Sequence, residues 1–150
     1  MNDKIGFTAV SHQSSEESRI ITRGRREIIH IPNGVNIERF KPSKDRKELR
    51  SQFNIPKDAT VLLSIGRLVH HKMPFRMIDI FAEVQKIHEK YMLVIAGKGE
   101  LFGAVKEYVG DKNISNIKFL GFVPNDDLPD LYACSNFFIT TAKYEGYFSP

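Results

Sequence analysis

The amino-acid sequence predicts an α/β domain in which helices cover both faces of a parallel sheet. Short apolar runs alternate with segments of helical periodicity along the chain. The runs are continuously apolar, which is typical of parallel strands that are buried on both faces. With 150 residues, of which 41% are hydrophobic, the chain can bury the core of one ordinary domain. Residues 1–150 are therefore predicted to form a single domain.

Each element is predicted from its apolar pattern and from the residues that bound it. The predicted strands are Ile5–Val10, Glu27–Ile31, Val61–Ile65, Met92–Ala96, Ile117–Leu120 and Asn136–Thr140. The predicted helices are Ser14–Thr22, Lys44–Phe53, Pro74–Lys90, Glu100–Val109 and Asp126–Ala133. Pro74 suits the first position of a helix, although Met73 is a poor N-cap. Gly110 suits a helix stop and Asp126 an N-cap, whereas the polar region Ser43–Thr60 is predicted to be an exposed excursion.

Right-handed crossovers between these strands would produce a doubly wound, Rossmann-like domain. Ligands of such sheets bind outside the carboxyl ends of the strands. This rule selects Gly66–Arg67, Gly97–Gly99, Gly121–Val123 and the tail after Thr140.

Composition limits the classes of partner and compartment. The formal charge of +4 suits a phosphate-bearing ligand or an anionic membrane surface, but the cations form no single block, so no nucleic-acid partner is predicted. The single Cys134 excludes an intramolecular disulfide and lies in an apolar patch, so we expect it to be buried. No apolar stretch reaches the roughly 18 residues that a spanning helix needs. A cytoplasmic location is expected.

The strongest local signal for a ligand follows the third predicted strand. Gly66 ends this strand, Arg67 follows at once, and Lys72 precedes the long helix. A helix N-terminus and two cations together suit a phosphate group. The neighbouring His70 and His71 have no carboxylate or Cys companions in the sequence, so no metal site is predicted.

Two further motifs each allow two interpretations from the residues alone. Gly97-Lys-Gly99 with Gly103 resembles a dinucleotide fingerprint but is one residue too long, so a tight turn and a ligand contact are equally compatible with it. Glu145 beside Gly146 is compatible with a carboxylate that approaches a ligand and with an exposed loop residue.

Taken in order, these motifs resemble a known family. The matching segments are Val10-Ser11, Ile31-Pro-Asn-Gly-Val-Asn36, Phe40-Lys-Pro42, Gly66-Arg-Leu-Val69 with Lys72, Leu93-Val-Ile-Ala-Gly97 with Gly99, Phe119-Leu-Gly-Phe-Val-Pro124, Leu131-Tyr-Ala133 and Glu145-Gly146. The chain resembles the C-terminal, nucleotide-sugar-binding half of a family 4 retaining glycosyltransferase with the GT-B fold.

The resemblance implies roles for particular residues. Arg67 and Lys72 would neutralise the donor diphosphate, and Glu145 would hold the donor sugar. Phe122 and Val123 would border the base. The remaining donor-binding positions that the resemblance implies are Gly66, Gly97, Gly146, Tyr147, Phe148 and Ser149. No metal and no separate cofactor would be required, because cations of the protein would neutralise the leaving group.

The sequence departs from the family pattern at several points. Met73 and Phe148 stand where the family usually or often has glycine. A second family glutamate would fall beyond Pro150, as would the last strand and helix of the sheet. The N-terminal half, which binds the acceptor, is also expected outside this chain, so the chain alone is predicted to be inactive.

The resulting prediction is the donor-binding part of a hexosyltransferase that moves a sugar from a nucleoside-diphosphate sugar to a lipid, a glycan or a small molecule. The predicted partners are the nucleotide sugar and the acceptor half. A second copy of the chain, bound through exposed sheet surface, is a candidate partner, as is a membrane surface for the parent enzyme. Two alternatives stay open at this point. One is a non-catalytic nucleotide-binding or regulatory module, and the other is a structural domain that self-associates through exposed sheet surface.

Overall fold

The computed structural model describes residues 6–41 and 44–145, which cluster as two compact units. One unit contains the described residues up to Asn36 together with Tyr144 and Glu145, and the other is Ile37–Lys143. The single-domain organisation stays a prediction. No helix of the described residues is long and apolar enough to cross a membrane.

The first unit is one strand–helix–strand motif. Strand β1 (Phe7–Ala9) pairs in parallel with β2 (Ile28–His30), and helix α1 (His12–Ile21) connects them. Ser11 caps α1, because its Oγ accepts a hydrogen bond of 3.1 Å from the backbone N–H of Ser14. A parallel pair requires such a crossover, so the order of elements fixes this arrangement.

The second unit carries a parallel sheet of four strands in the order β5–β4–β3–β6. These strands are β3 (Thr60–Ile65), β4 (Tyr91–Ala96), β5 (Ile117–Gly121) and β6 (Phe137–Phe138). Successive strands are joined by α3 (Pro74–Ile87), α4 (Phe102–Asp111) and α5 (Leu128–Ala133), and α2 (Arg46–Gln52) precedes the sheet. Because β6 adds on the other side of β3, the strand order reverses between these two strands. The predicted α/β fold with a parallel sheet is confirmed.

Alternate residues of the central strands point into two separate cores, as a pleated sheet requires. Val61, Leu63 and Val94 belong to the core that Leu131 of α5 completes. On the opposite face, Leu62, Leu93 and Ile95 pack with Met77, Ile78 and Phe81 of α3 and with Val105 of α4. Burial on both faces explains why these strands are continuously apolar in the sequence.

The prediction that Ser43–Thr60 is an exposed excursion is wrong. Leu49 is fully buried, Ile55 and Ala59 are also buried, and all three join the core with α5. The guanidinium of Arg50 donates to the carbonyl oxygens of Cys134 (3.1 Å) and Lys57 (2.6 Å) and to Asn136 Oδ1 (2.8 Å). Arg50 can pack against the core because each of its three guanidinium nitrogens donates to an oxygen. Cys134 is buried as predicted, and burial raises the pKa of its thiol.

Several predicted boundaries are also wrong; α3, for example, ends at Ile87 and not at Lys90. Helix α4 continues past Gly110 to Asp111, and Asn113 adopts the left-handed conformation with φ of 51°. Asp126 forms an ion pair of 3.1 Å with Arg39 and does not cap α5, which begins at Leu128. Strand β6 is limited to Phe137 and Phe138. Helix α3 begins at Pro74 without a side-chain cap, as predicted.

The buried guanidinium generates a stability prediction. Arg50→Met should lower the free energy of unfolding by about 2–4 kcal/mol, because the buried carbonyl oxygen of Cys134 and the partly buried oxygens of Lys57 and Asn136 lose a charged donor. Lys47→Met is the matched control, since it removes one exposed cation from the same helix. Urea denaturation of both variants measures the difference. Equal midpoints would contradict the role assigned to Arg50.

Candidate functional site

The loops that follow β3, β4 and β5 are joined to one another by backbone hydrogen bonds. The N–H of Gly66 donates to Ala96 O (3.0 Å), and the N–H of Gly97 donates to Gly121 O (2.6 Å). The N–H of Leu68 donates to Lys98 O (3.1 Å), and Leu68 O accepts from the N–H of Leu101 at 3.0 Å. These bonds extend the parallel ladder beyond the strands, so the three loops are held side by side.

Gly97 and Gly99 are required by this close approach of loops. Gly97 has a φ of 141°, and a Cβ at this position would lie 1.9 Å from the carbonyl oxygen of Gly66. A Cβ at Gly99 would lie 2.4 Å from the carbonyl oxygen of Leu68. The tight-turn interpretation of Gly97-Lys-Gly99 therefore has a direct structural basis, and the donor-binding role of Gly97 stays a prediction.

A cleft of about 380 Å³ opens at the carboxyl ends of β3, β4 and β5. Its lining residues are Ile65, Gly66, Arg67, Ala96, Gly97, Lys98, Phe122, Val123, Asn125 and Leu128. Arg67 and Lys98 are exposed, and neither forms an ion pair with any residue that the structure describes. The Phe122 side chain is 73% exposed. The cleft thus combines apolar walls and an aromatic ring with two cations that can attract an anion.

At the reversal of strand order between β3 and β6, the segment that follows β6 is hydrogen-bonded to the turn that precedes α3. The hydroxyl of Thr141 lies 3.0 Å from both Lys72 O and Met73 O, and the N–H of Lys143 donates to His71 O at 2.8 Å. These carbonyls belong to the 3-10 turn His70–Lys72 and to Met73, which has a φ of 51°. The segment after β6 is therefore attached to the turn from which α3 starts.

The predicted site residues divide into three groups. Gly66, Arg67, Gly97, Phe122 and Val123 all line the cleft. Lys72 is half-buried in the 3-10 turn and is not among the lining residues, whereas Glu145 is half-buried and belongs to the first unit. The predictions for Gly146, Tyr147, Phe148 and Ser149 concern residues that lie outside the described ones. The roles of all these residues toward a ligand stay predictions.

Lys98 lines the cleft and lies in the selected segment Gly97–Gly99, but its side chain was given no role from the sequence. It is the middle residue of Gly97-Lys-Gly99, directly after β4, so its position at a strand end was the available signal. Asn125, on the 3-10 turn before α5, lines the same cleft and was also missed.

Comparison with known families identifies the class to which this fold and cleft belong. Residues 45–147 match the family described as glycosyl transferases group 1. This match covers most of the chain, from α2 to the segment after β6. The chain therefore belongs to this family, and its similarity to the C-terminal domain of GT-B glycosyltransferases is confirmed.

Individual relatives agree with the family assignment. The chain is 30% identical over 132 residues to mannosylfructose-phosphate synthase of Agrobacterium fabrum, covering 81% of this chain and 29% of that protein. It is 29% identical over 120 residues to alpha-monoglucosyldiacylglycerol synthase of Streptococcus pneumoniae, covering 77% of this chain and 27% of that protein. The chain thus spans less than a third of the length of these two relatives.

A solved structure shows the same fold. Anabaena HepE, determined in complex with UDP and glucose, superposes with a TM-score of 0.72 at 26% identity. The match covers 90% of this chain and 37% of HepE. Over the matched residues, the fold of this chain is therefore that of HepE.

The packing of the strand-end loops generates a second stability prediction. Gly97→Ala should lower the free energy of unfolding by about 2 kcal/mol or more, because the new Cβ would collide with Gly66 O. Gly103→Ala is the matched control, since nothing lies within 4 Å of its added Cβ on helix α4. The control should be neutral or stabilising by up to about 1 kcal/mol. Equal denaturation midpoints for both variants would refute the steric account.

Proposed function

We propose that this chain forms the donor site of a glycosyltransferase that moves a sugar from a nucleoside-diphosphate sugar to an acceptor. The observation that carries the proposal is the cleft at the carboxyl ends of β3, β4 and β5. Arg67 and Lys98 line it without an ion-pair partner among the described residues, so their charge is available to an anionic ligand. Its apolar walls suit a planar base.

Family membership supports the reaction class. The curated relatives named above are synthases of glycosides, and the structure of HepE contains UDP and glucose. The proposed activity belongs to the whole parent protein, because this chain covers less than a third of those curated relatives. The acceptor would bind to a part of the parent outside this chain.

We place the reaction in the cytoplasm, on the basis of the single, buried Cys134.

The electrostatics of the cleft define how the residues would act. A departing nucleoside diphosphate gains negative charge, and cations that are already positioned near it lower the barrier to transfer. Arg67 would provide paired donors to phosphate oxygens, and Lys72 would add a charge from the turn before α3. Because these side chains neutralise the leaving group, we propose that the reaction needs no metal. Glu145 would accept hydrogen bonds from sugar hydroxyls.

The charge of Arg67 provides a direct test of the donor site. Arg67→Ala should weaken the binding of a nucleoside diphosphate by about 10- to 100-fold, because charge-assisted hydrogen bonds to phosphate are lost. Isothermal titration calorimetry with UDP and GDP measures the change. Lys86→Ala is the control, since it removes an exposed cation from the far end of α3. The proposal fails if the folded Arg67→Ala variant binds both nucleotides as tightly as the unmodified chain.

The proposed role of Glu145 is testable in the full-length parent protein. Glu145→Gln should lower kcat for sugar transfer by more than it weakens nucleotide binding, because the interaction would strengthen as charge develops in the transition state. Transfer of radiolabelled sugar, with and without EDTA, measures both this effect and the proposed independence of metal. Unchanged kcat would make Glu145 a loop residue only. Nucleotide binding without any transfer would favour a regulatory module.

A further inference from the structure

Lys98 approaches the cleft from the loop after β4 and extends across the end of β5. A Cβ placed on Gly121 would lie 3.2 Å from Lys98 Cε, so the lysine stem runs directly over this glycine. Gly121 has a φ of 70° and precedes Phe122 and Val123, the two cleft residues of the following loop. The Lys98 ammonium is therefore held near the Phe122–Val123 side of the cleft.

The chemistry of this part of the cleft suits the edge and faces of a nucleobase. The side chains of Phe122 and Val123 offer apolar contact to a planar ring. An ammonium group has three donors and no acceptor, and the Lys98 ammonium has no hydrogen-bond or ion-pair partner among the described residues. It can therefore satisfy a ring carbonyl oxygen, but it cannot accept a hydrogen bond from an exocyclic amino group.

We propose that Lys98 selects nucleotide sugars whose base carries a keto oxygen, as uracil, hypoxanthine and guanine do. Nucleotide sugars whose base has an amino group at that position would bind less tightly. The inference rests on the proposed function, since it concerns the base of the same nucleotide. Uracil O4 and guanine O6 are hydrogen-bond acceptors. Cytosine N4 and adenine N6 are hydrogen-bond donors, for which Lys98 offers no acceptor. A site that offers only hydrogen-bond donors discriminates against a base with an amino group, because the ammonium and the amino group are both donors and cannot bond to each other.

Two matched pairs of nucleotides isolate this interaction. UDP and CDP differ at the pyrimidine position 4, and inosine diphosphate and ADP differ at the purine position 6. Calorimetric titration of the full chain should give at least about fivefold tighter binding for the keto member of a pair that binds, a value that allows for the exposure of Lys98. Lys98→Met should remove the preference by weakening the keto member, and Lys106→Met, on the exposed surface of α4, should leave it unchanged.

Further variants distinguish contacts to the base from contacts to the diphosphate. Arg67→Ala should weaken all four nucleotides by a similar factor and leave the ratio within each pair unchanged. Lys98→Glu, which offers only acceptors, should shift the ratio toward the amino member even though its charge weakens every nucleotide. A Lys98→Met variant that weakens all four nucleotides equally would overturn the inference and leave the donor site intact. If the unmodified chain binds none of the four, both the inference and the proposed function fail.

Discussion

The close approach of the loops after β3 and β4 is the constraint on which the rest of the second unit depends. Gly97 places only a hydrogen atom where any other residue would drive a Cβ into the carbonyl oxygen of Gly66. This contact allows the N–H of Gly66 to reach Ala96 O and the N–H of Leu68 to reach Lys98 O. The sheet therefore continues as bonded backbone past the ends of its strands, and its carboxyl edge is a rigid platform.

The same constraint determines what the platform presents to a ligand. Because backbone N–H groups of Gly66, Leu68 and Gly97 are used between loops, these three groups are not donors to phosphate. The available charge instead comes from the side chains of Arg67 and Lys98, which the bonded loops hold at neighbouring strand ends. Gly66 and Gly97 allow the loops to approach each other, and the side chains of Arg67 and Lys98 provide the positive charge of the cleft.

The parallel sheet and its burial on both faces could be predicted from the sequence, because runs such as Val61–Ile65 and Met92–Ala96 are almost continuously apolar. The packing of α2 could not, since Arg50 is buried through contacts with Cys134 and Asn136 that are distant in sequence. The end of α4 depended on Asn113, which adopted the left-handed conformation expected of a glycine. Arg67 was predicted from its position beside Gly66, whereas the role of the Lys98 side chain was not, because its course over Gly121 brings together two loops that are distant in sequence.

A second cleft, of about 340 Å³, lies at the opposite, amino end of the strands and is lined by residues that include Asp58, Glu89 and Lys90. It is an internal control for the proposal that a nucleotide binds at the carboxyl end. Amide chemical shifts measured by NMR during titration with UDP and GDP distinguish the two ends. The account predicts the largest changes at residues 66–67, 97–98 and 121–123. Changes confined to residues 56–59 and 89–92, or no changes at millimolar nucleotide, would contradict a donor site at the carboxyl edge of the sheet.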